Sequence, residues 1–297
     1  MATSPPAVFV VHAKPWTRFW RLLRQAGIAA YEDNCFGIAK GIAYSGLLAL
    51  FPVLTSIAAI LLRVNAEPVS RALARFLFEV TPPGSEELIR YQFTVKGQRP
   101  VWLVVTATLL SIWAASGAMM SLMEGFQAAY RLPGGRSFLK QRGVAILLVF
   151  IGAVPAIGAS FLIVFGARLE NRMFASIGIK AQGGNLTGWA AVLSVSARYF
   201  VAFACVVLVT GLVYYFGPNR PMKLKRVWPG AILATVLWVL ATSGFGWYVR
   251  NLANYNVMYG SIAAVIVLLV WIYLMSIIGL FGCEFNAERE RLRPVWS

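Results

Sequence analysis

Six long apolar runs, at residues 41–62, 101–123, 144–167, 189–216, 227–249 and 261–283, alternate with shorter stretches that hold most of the charge. The first of them, 22 residues long, makes ~33 Å of helix at ~1.5 Å per residue, enough for a hydrocarbon core of about 30 Å. No water reaches such a core to satisfy open backbone groups, so helices are the form these runs predict. The fold class expected is all-α, an integral membrane bundle of six transmembrane helices with short amphipathic interfacial helices. Residues 1–40 form a leading segment, 41–283 the transmembrane domain and 284–297 a tail.

Two stretches outside the runs alternate at helical spacing. In 14–27, Trp16, Phe19, Trp20 and Leu23 share one face, while Lys14, Arg18, Arg21 and Gln25 take another, the pattern of a helix lying on an anionic membrane surface. In 69–80, Val69, Leu73, Phe76, Leu77 and Val80 oppose Arg71, Arg75 and Glu79. That second helix reads as a cap on the bundle or as a lid over a cavity. Within the runs, small residues recur every four positions: Gly37, Gly41, Ser45 and Ala49, then Gly117, Ser121, Gly125 and Ala129, then Gly152, Ala156 and Ser160. Such ladders permit close helix approach in lipid. Pro52 and Pro155 fall near the middle of their runs, where a missing N–H can kink the helix.

Composition agrees with lipid as the solvent. Apolar residues make up 59% of the 297 and charged ones 13%, with a mean hydropathy of +0.69; a soluble domain of this kind would expose too much apolar surface. The net charge of +16 raises the question of nucleic acid. Basic residues counted by loop answer it. The leading segment, the second and fourth loops and the tail hold 16 Lys and Arg, while the alternate loops hold 10, six of them in the long 63–100 stretch beside four glutamates. Arg220, Lys223, Lys225 and Arg226 crowd one short loop, whereas Arg250 stands alone in the next. This asymmetry predicts both termini in the cytoplasm and makes the basic knot a topological anchor. A nucleic-acid partner is not expected, because no soluble module carries basic residues interleaved with aromatics.

Candidate chemistry is sparse. The first run follows a polar, basic lead with no small-residue cleavage site, so a cleaved signal peptide is not expected. Cys35, Cys205 and Cys283 are too far apart to suggest a disulfide framework or a metal knuckle. His12 is the one histidine, the eleven carboxylates show no metal-ligand spacing, and no phosphate-binding loop of the G-x-x-x-x-G-K-[ST] type occurs. No metal or cofactor is expected. Ionisable residues inside a membrane are costly and normally face protein or water, which singles out Arg198 together with Glu124 and Glu284 at the ends of the second and sixth runs. A helix starting at Trp189 puts Arg198 near mid-membrane; one starting closer to Val195 lets it snorkel outward. Both alternatives stand. For the two glutamates, solvation at the interface is the plain reading and an ion pair with an arginine the sharper one.

Several stretches resemble one family. GIAYSGLLALFPVLT (41–55), IWAASGAMMSLMEGFQAAYRLP (112–133), YYFGPNR (214–220), WPGAILATVLW (228–238) and YGSIAAVIVLLVWIYLMSIIGLFGCEFNAE (259–288) are similar to the YihY/virulence factor BrkB family of bacterial inner-membrane proteins. The resemblance runs from about residue 25 to 290. It is carried most by Tyr44 with Phe51-Pro52, by Pro218-Asn219, by Tyr259-Gly260-Ser261, and by Glu284-x-Asn286-Ala287. It implies a six-helix membrane protein and says much less about activity. The family has carried a ribonuclease BN label, yet hydrolysis of a phosphodiester wants clustered carboxylates or histidines around cations.

Three function classes follow. Transport or flipping of an envelope solute or anionic lipid leads, from polar residues at depth, mid-helix prolines and a basic face. A non-catalytic scaffold for an envelope assembly, or a homo-oligomer, would use the small-residue ladders as contact faces. An intramembrane enzyme comes third, since no His/Cys/Ser or paired-acid constellation is present. Membrane lipids are the partners expected in all three.

Overall fold

The computed structural model describes residues 15–63, 101–153, 155, 189–251 and 262–292. Among the described residues the elements are helical. They are α1 (Pro15–Glu32), α2 (Cys35–Arg63), α3 (Val101–Ala129), α4 (138–153), α5 (Trp189–Phe216), α6 (Trp228–Asn251) and α7 (Ile262–Arg291). A 3-10 turn, Leu224–Arg226, precedes α6.

Five of these helices are long and apolar enough to cross a membrane: within α2, α3, α5, α6 and α7 the stretches Cys35–Ile57, Val104–Ala129, Tyr199–Phe216, Trp228–Val249 and Val265–Arg291 qualify. Of the third apolar run, α4 supplies the beginning and the remainder lies outside the described residues, as do the 69–80 helix, Tyr259 and Gly260. Two boundaries differ from the hydropathy reading. α2 begins at Cys35, before the first apolar run, and α7 continues to Arg291 through most of the segment read as a tail. Cys35 and Ala39 at the first place and Glu284 and Asn286 at the second are buried against other helices, a condition no local average of hydropathy contains.

α7 is the hub. It packs on α1, α2, α3 and α6, while α2 lies along α3 and α5 along α6. The buried cluster sits toward one end of the bundle, where α2 and α6 begin and α3, α5 and α7 finish. Ala39, Met123, Phe126, Tyr214, Val227, Ala231, Leu280 and Cys283 fill it. This end also collects the ion pairs of Arg131, Arg220, Arg226 and Arg291, and is called the basic end below.

α1 has the mixed surface its spacing predicts. Its first turns expose Trp16, Phe19 and Trp20, whereas Ala26, Ala29 and Ala30 near its end are buried. Phe19 meets Phe285 edge-on, 6.1 Å between ring centres, and so fastens α1 to α7.

Candidate functional site

The corner after α1 starts the site. Asn34 adopts a left-handed backbone, φ 55°, a conformation Asn tolerates because its short amide can bond locally. The turn brings Cys35, first residue of α2, against the last turns of α7. Cys35 Sγ donates to Glu284 Oε1 at 3.5 Å, across 249 residues of sequence. Glu284 is fully buried, and its Oε2 has no hydrogen-bond partner. Among the described residues no cation forms an ion pair with it. The titratable groups that face it are Asp33 and Cys35 from the α1–α2 corner, Tyr130 after α3, and Cys283, Glu288 and Arg291 from α7 itself. Burial pushes the Tyr130 phenol well above its ordinary range.

Two residues along, Asn286 is buried and joins α7 to the start of α6. Its Oδ1 accepts from the Gly230 N–H at 2.8 Å, and its Nδ2 donates to the Val227 carbonyl at 2.9 Å. The Gly230 N–H is a terminal donor of α6 that no intrahelical bond satisfies, while the Val227 carbonyl also accepts from the Ala231 N–H at 3.1 Å. The crossing is close enough that a Cβ added at Gly230 would overlap the Gly282 carbonyl oxygen, and one at Gly282 would overlap the Tyr214 hydroxyl. Tyr214 in turn donates to the Gly279 carbonyl at 2.6 Å, which binds α5 to the same stretch of α7.

Arginines close the end. Arg136 donates to the carbonyls of Phe216, Gly217 and Pro218 at 3.0, 3.0 and 3.1 Å, satisfying the last acceptor of α5 and the two carbonyls that follow it with its fixed fork. Burial lowers the pKa of this guanidinium, and the carbonyl ends it faces favour its charge. Arg220 lies over the Tyr130 ring at 4.5 Å and pairs with Glu290 at 2.7 Å, while Arg226 shares the same carboxylate. Arg131 takes φ 49° at the end of α3. Its N–H reaches Ala128 O and that of Leu132 reaches Gln127 O, the doubly bonded helix ending usually built on glycine. The Arg131 side chain holds Asp33 at 3.2 Å, tying α3 to the corner that carries Cys35.

The sequence candidates thus fall into groups. Glu284 and Asn286 are both buried on α7, the first toward Cys35 of α2 and the second toward the start of α6, and Pro218 is buried beneath Arg136, with Asn219 exposed beside it. Glu124 is exposed on α3. Tyr44 is 64% exposed and lines a separate groove of about 340 Å3 with Lys40 and Tyr273. Pro52 sits inside α2, which continues through it. α5 begins at Trp189, so Arg198 lies ~14 Å along it; the Arg198 side chain is outside the described residues. Sequence reasoning missed Cys35, Arg136, Tyr214 and Glu290. The arginines of the short loops carried a signal, but it was read as charge alone and not as a set of donors facing helix ends.

Among the described residues, no group of three or more His, Cys, Asp or Glu is placed to hold a metal ion. What the site offers is a buried acid, a buried amide bridge and a ring of paired charges. Apolar helices of spanning length, packed by one basic end, define a multi-pass membrane protein. Within that class the chain belongs to the virulence factor BrkB family, whose model matches residues 29–295. Among curated relatives it is 31% identical over 257 residues to the ribonuclease-like protein YfkH of Bacillus subtilis (strain 168), which covers 84% of this chain and 90% of the relative. It is 25% identical over 272 residues to a UPF0761 membrane protein of Tolumonas auensis, covering 91% and 83%. A UPF0761 membrane protein of Alkalilimnicola ehrlichii is 27% identical over 264 residues; that relative is longer, and the match spans 55% of it. No solved structure matches the chain.

Proposed function

We propose that the protein moves an anionic solute or lipid of the cell envelope across the bacterial inner membrane, with both termini in the cytoplasm. The observation that carries this reading is Glu284: a fully buried carboxyl with one oxygen unpartnered and no ion-paired cation. Burying an uncompensated charge costs several kcal/mol in real proteins, so a purely structural position would favour an amide or an apolar group. A carboxyl held in this way exchanges a proton when the helices around it part. That exchange supplies the coupling needed by a chain without a nucleotide-binding loop. Arg198, on α5, is the proposed contact for the anionic group, because a guanidinium fork grips phosphate or carboxylate in two places.

Orientation follows from the basic count, and a reporter fused at Asn254 reads periplasmic; a cytoplasmic signal there reverses it. In proteoliposomes under an imposed pH gradient, uptake or flipping of an anionic lipid by the parent protein responds to the gradient. Glu284→Gln keeps the fold and loses that response, and Arg198→Leu loses flux that Arg198→Lys does not fully restore. Equal, gradient-dependent flux in all variants overturns the reading.

One observation favours the scaffold reading. Among the described residues, no neighbouring atom lies within 4 Å of a Cβ added at Gly41 or Gly117, so these parts of the small-residue ladders have room for another helix. The ribonuclease-like name of the Bacillus relative is not extended to this chain, whose acids have no ligand spacing. RNA cleavage by purified protein that disappears when a carboxylate of this chain is changed would reverse that judgement.

A further inference from the structure

An open-sided groove of about 600 Å3 lies between α1, α6 and α7. Its walls are apolar, with Phe19 and Leu22 from α1, Ile232 from α6 and Phe285 from α7; its charged lining residues are Arg18 and Arg289. The α6 wall extends from Pro229 to Val236, ~10 Å along the helix from the basic end. Arg289 lies one turn beyond Phe285 in the direction of that end. The groove therefore has a cationic mouth and an apolar channel leading away from it along the spanning helices. The acids that flank Arg289 on α7 are ion-paired with other residues: Glu290 with Arg220 and Arg226, and Glu288 with Arg291. α1 adds Arg21 and Arg24 and has no acid before Glu32.

We propose that this groove is a docking site for an anionic glycerophospholipid of the adjacent leaflet. The phosphate lies between Arg18 and Arg289, and one acyl chain runs along Phe19, Leu22, Ile232 and Phe285. Charge complementarity selects the headgroup, since guanidinium bonds to phosphate are among the stronger polar contacts available. The apolar walls select an acyl chain over water-soluble anions. The site does not depend on transport: α1 fastened to α7 by Phe19 and Phe285 makes the groove whether or not anything crosses the membrane.

The test uses the full chain, purified and delipidated in a mild detergent, then titrated with phosphatidylglycerol or phosphatidylcholine of the same acyl chains while bound lipid is counted by native mass spectrometry. The parent protein retains phosphatidylglycerol about tenfold more tightly. Arg18→Gln with Arg289→Gln removes that preference, and the matching pair of lysines keeps part of it. Ile232→Trp, at a half-exposed wall position, narrows the channel and lowers retention of both lipids while the headgroup preference stays. This second variant reads the site even when the double glutamine variant does not fold. Equal retention of the two lipids by the parent protein overturns the proposal, and so does undiminished retention in Ile232→Trp. A change of oligomeric mass in Ile232→Trp without loss of lipid also overturns it, because the groove is then filled by a second copy of the chain.

Discussion

α6 and α7 are built from similar residues along their length, yet burial is denser and polar bridges are stronger at one end than at the other. At the basic end, Ala231 and Ala234 of α6 and Leu280, Cys283, Glu284, Phe285, Asn286 and Ala287 of α7 are buried. Farther along, Val239, Leu240, Trp247 and Tyr248 of α6 and Ile266 and Val270 of α7 are exposed, with Val267 and Leu268 buried between the last two. The first half is joined by hydrogen bonds that cross between helices, from Asn286 and Tyr214. In the second half, Ser243 and Asn251 bond back to carbonyls of their own helix one turn earlier, and the crossing contact is the weaker one from the Thr242 hydroxyl to the Met275 sulfur at 3.9 Å. Apolar surface exposed over helices of spanning length is what lipid covers. The buried polar bridges join α5, α6 and α7 at the basic end.

Three substitutions press on this contrast. Gly230→Val has the largest expected effect, because its side chain would have to enter the space of the Gly282 carbonyl and the Asn286 amide. Backbone rather than a flexible side chain is in the way, so the loss reaches about 3 kcal/mol, the upper range for overpacking, read as unfolding midpoint in a denaturing-detergent titration. An unchanged midpoint would dissolve the distinction between the two halves. Asn286→Leu comes next. It keeps the volume roughly but leaves the buried Gly230 N–H without a partner, while the Val227 carbonyl keeps its bond from the Ala231 N–H, at a cost of about 2 kcal/mol. Comparison with Asn286→Asp sharpens the assignment, since Asp retains only the acceptor for Gly230. Leu240→Ala marks the small end of the scale. This residue is 63% exposed, and the change stays within about 0.5 kcal/mol. A larger loss there would mean that a protein partner, and not lipid, covers that face of α6.

Much of the fold was legible in the chain because hydropathy is a local quantity: a run of apolar residues needs a helix and lipid whatever lies elsewhere. The amphipathic helix of the leading segment was readable for the same reason, from the spacing of Trp16, Phe19 and Trp20 against Arg18 and Arg21. The small-residue ladders were readable as pattern and only partly as contact. Gly125 is filled by Leu280 and Ile38, while Gly41 and Gly117 face open space. Pattern states that a close approach is permitted; it does not state which helix makes it.

The site belongs to the second kind of information. The sequence by itself singled out Glu284 and Asn286, as an acid closing an apolar run and as members of a resembling segment, and it concentrated arginine at one end. Tertiary structure alone decided that Glu284 meets Cys35, that Asn286 completes the start of α6, and that Arg136 completes the end of α5. It also decided that Arg18 and Arg289 share one groove. Each of these relations joins residues tens to hundreds of positions apart. Their geometry depends on how α7 crosses its neighbours, and that crossing is set by side-chain volumes and hydrogen bonds that no single segment contains.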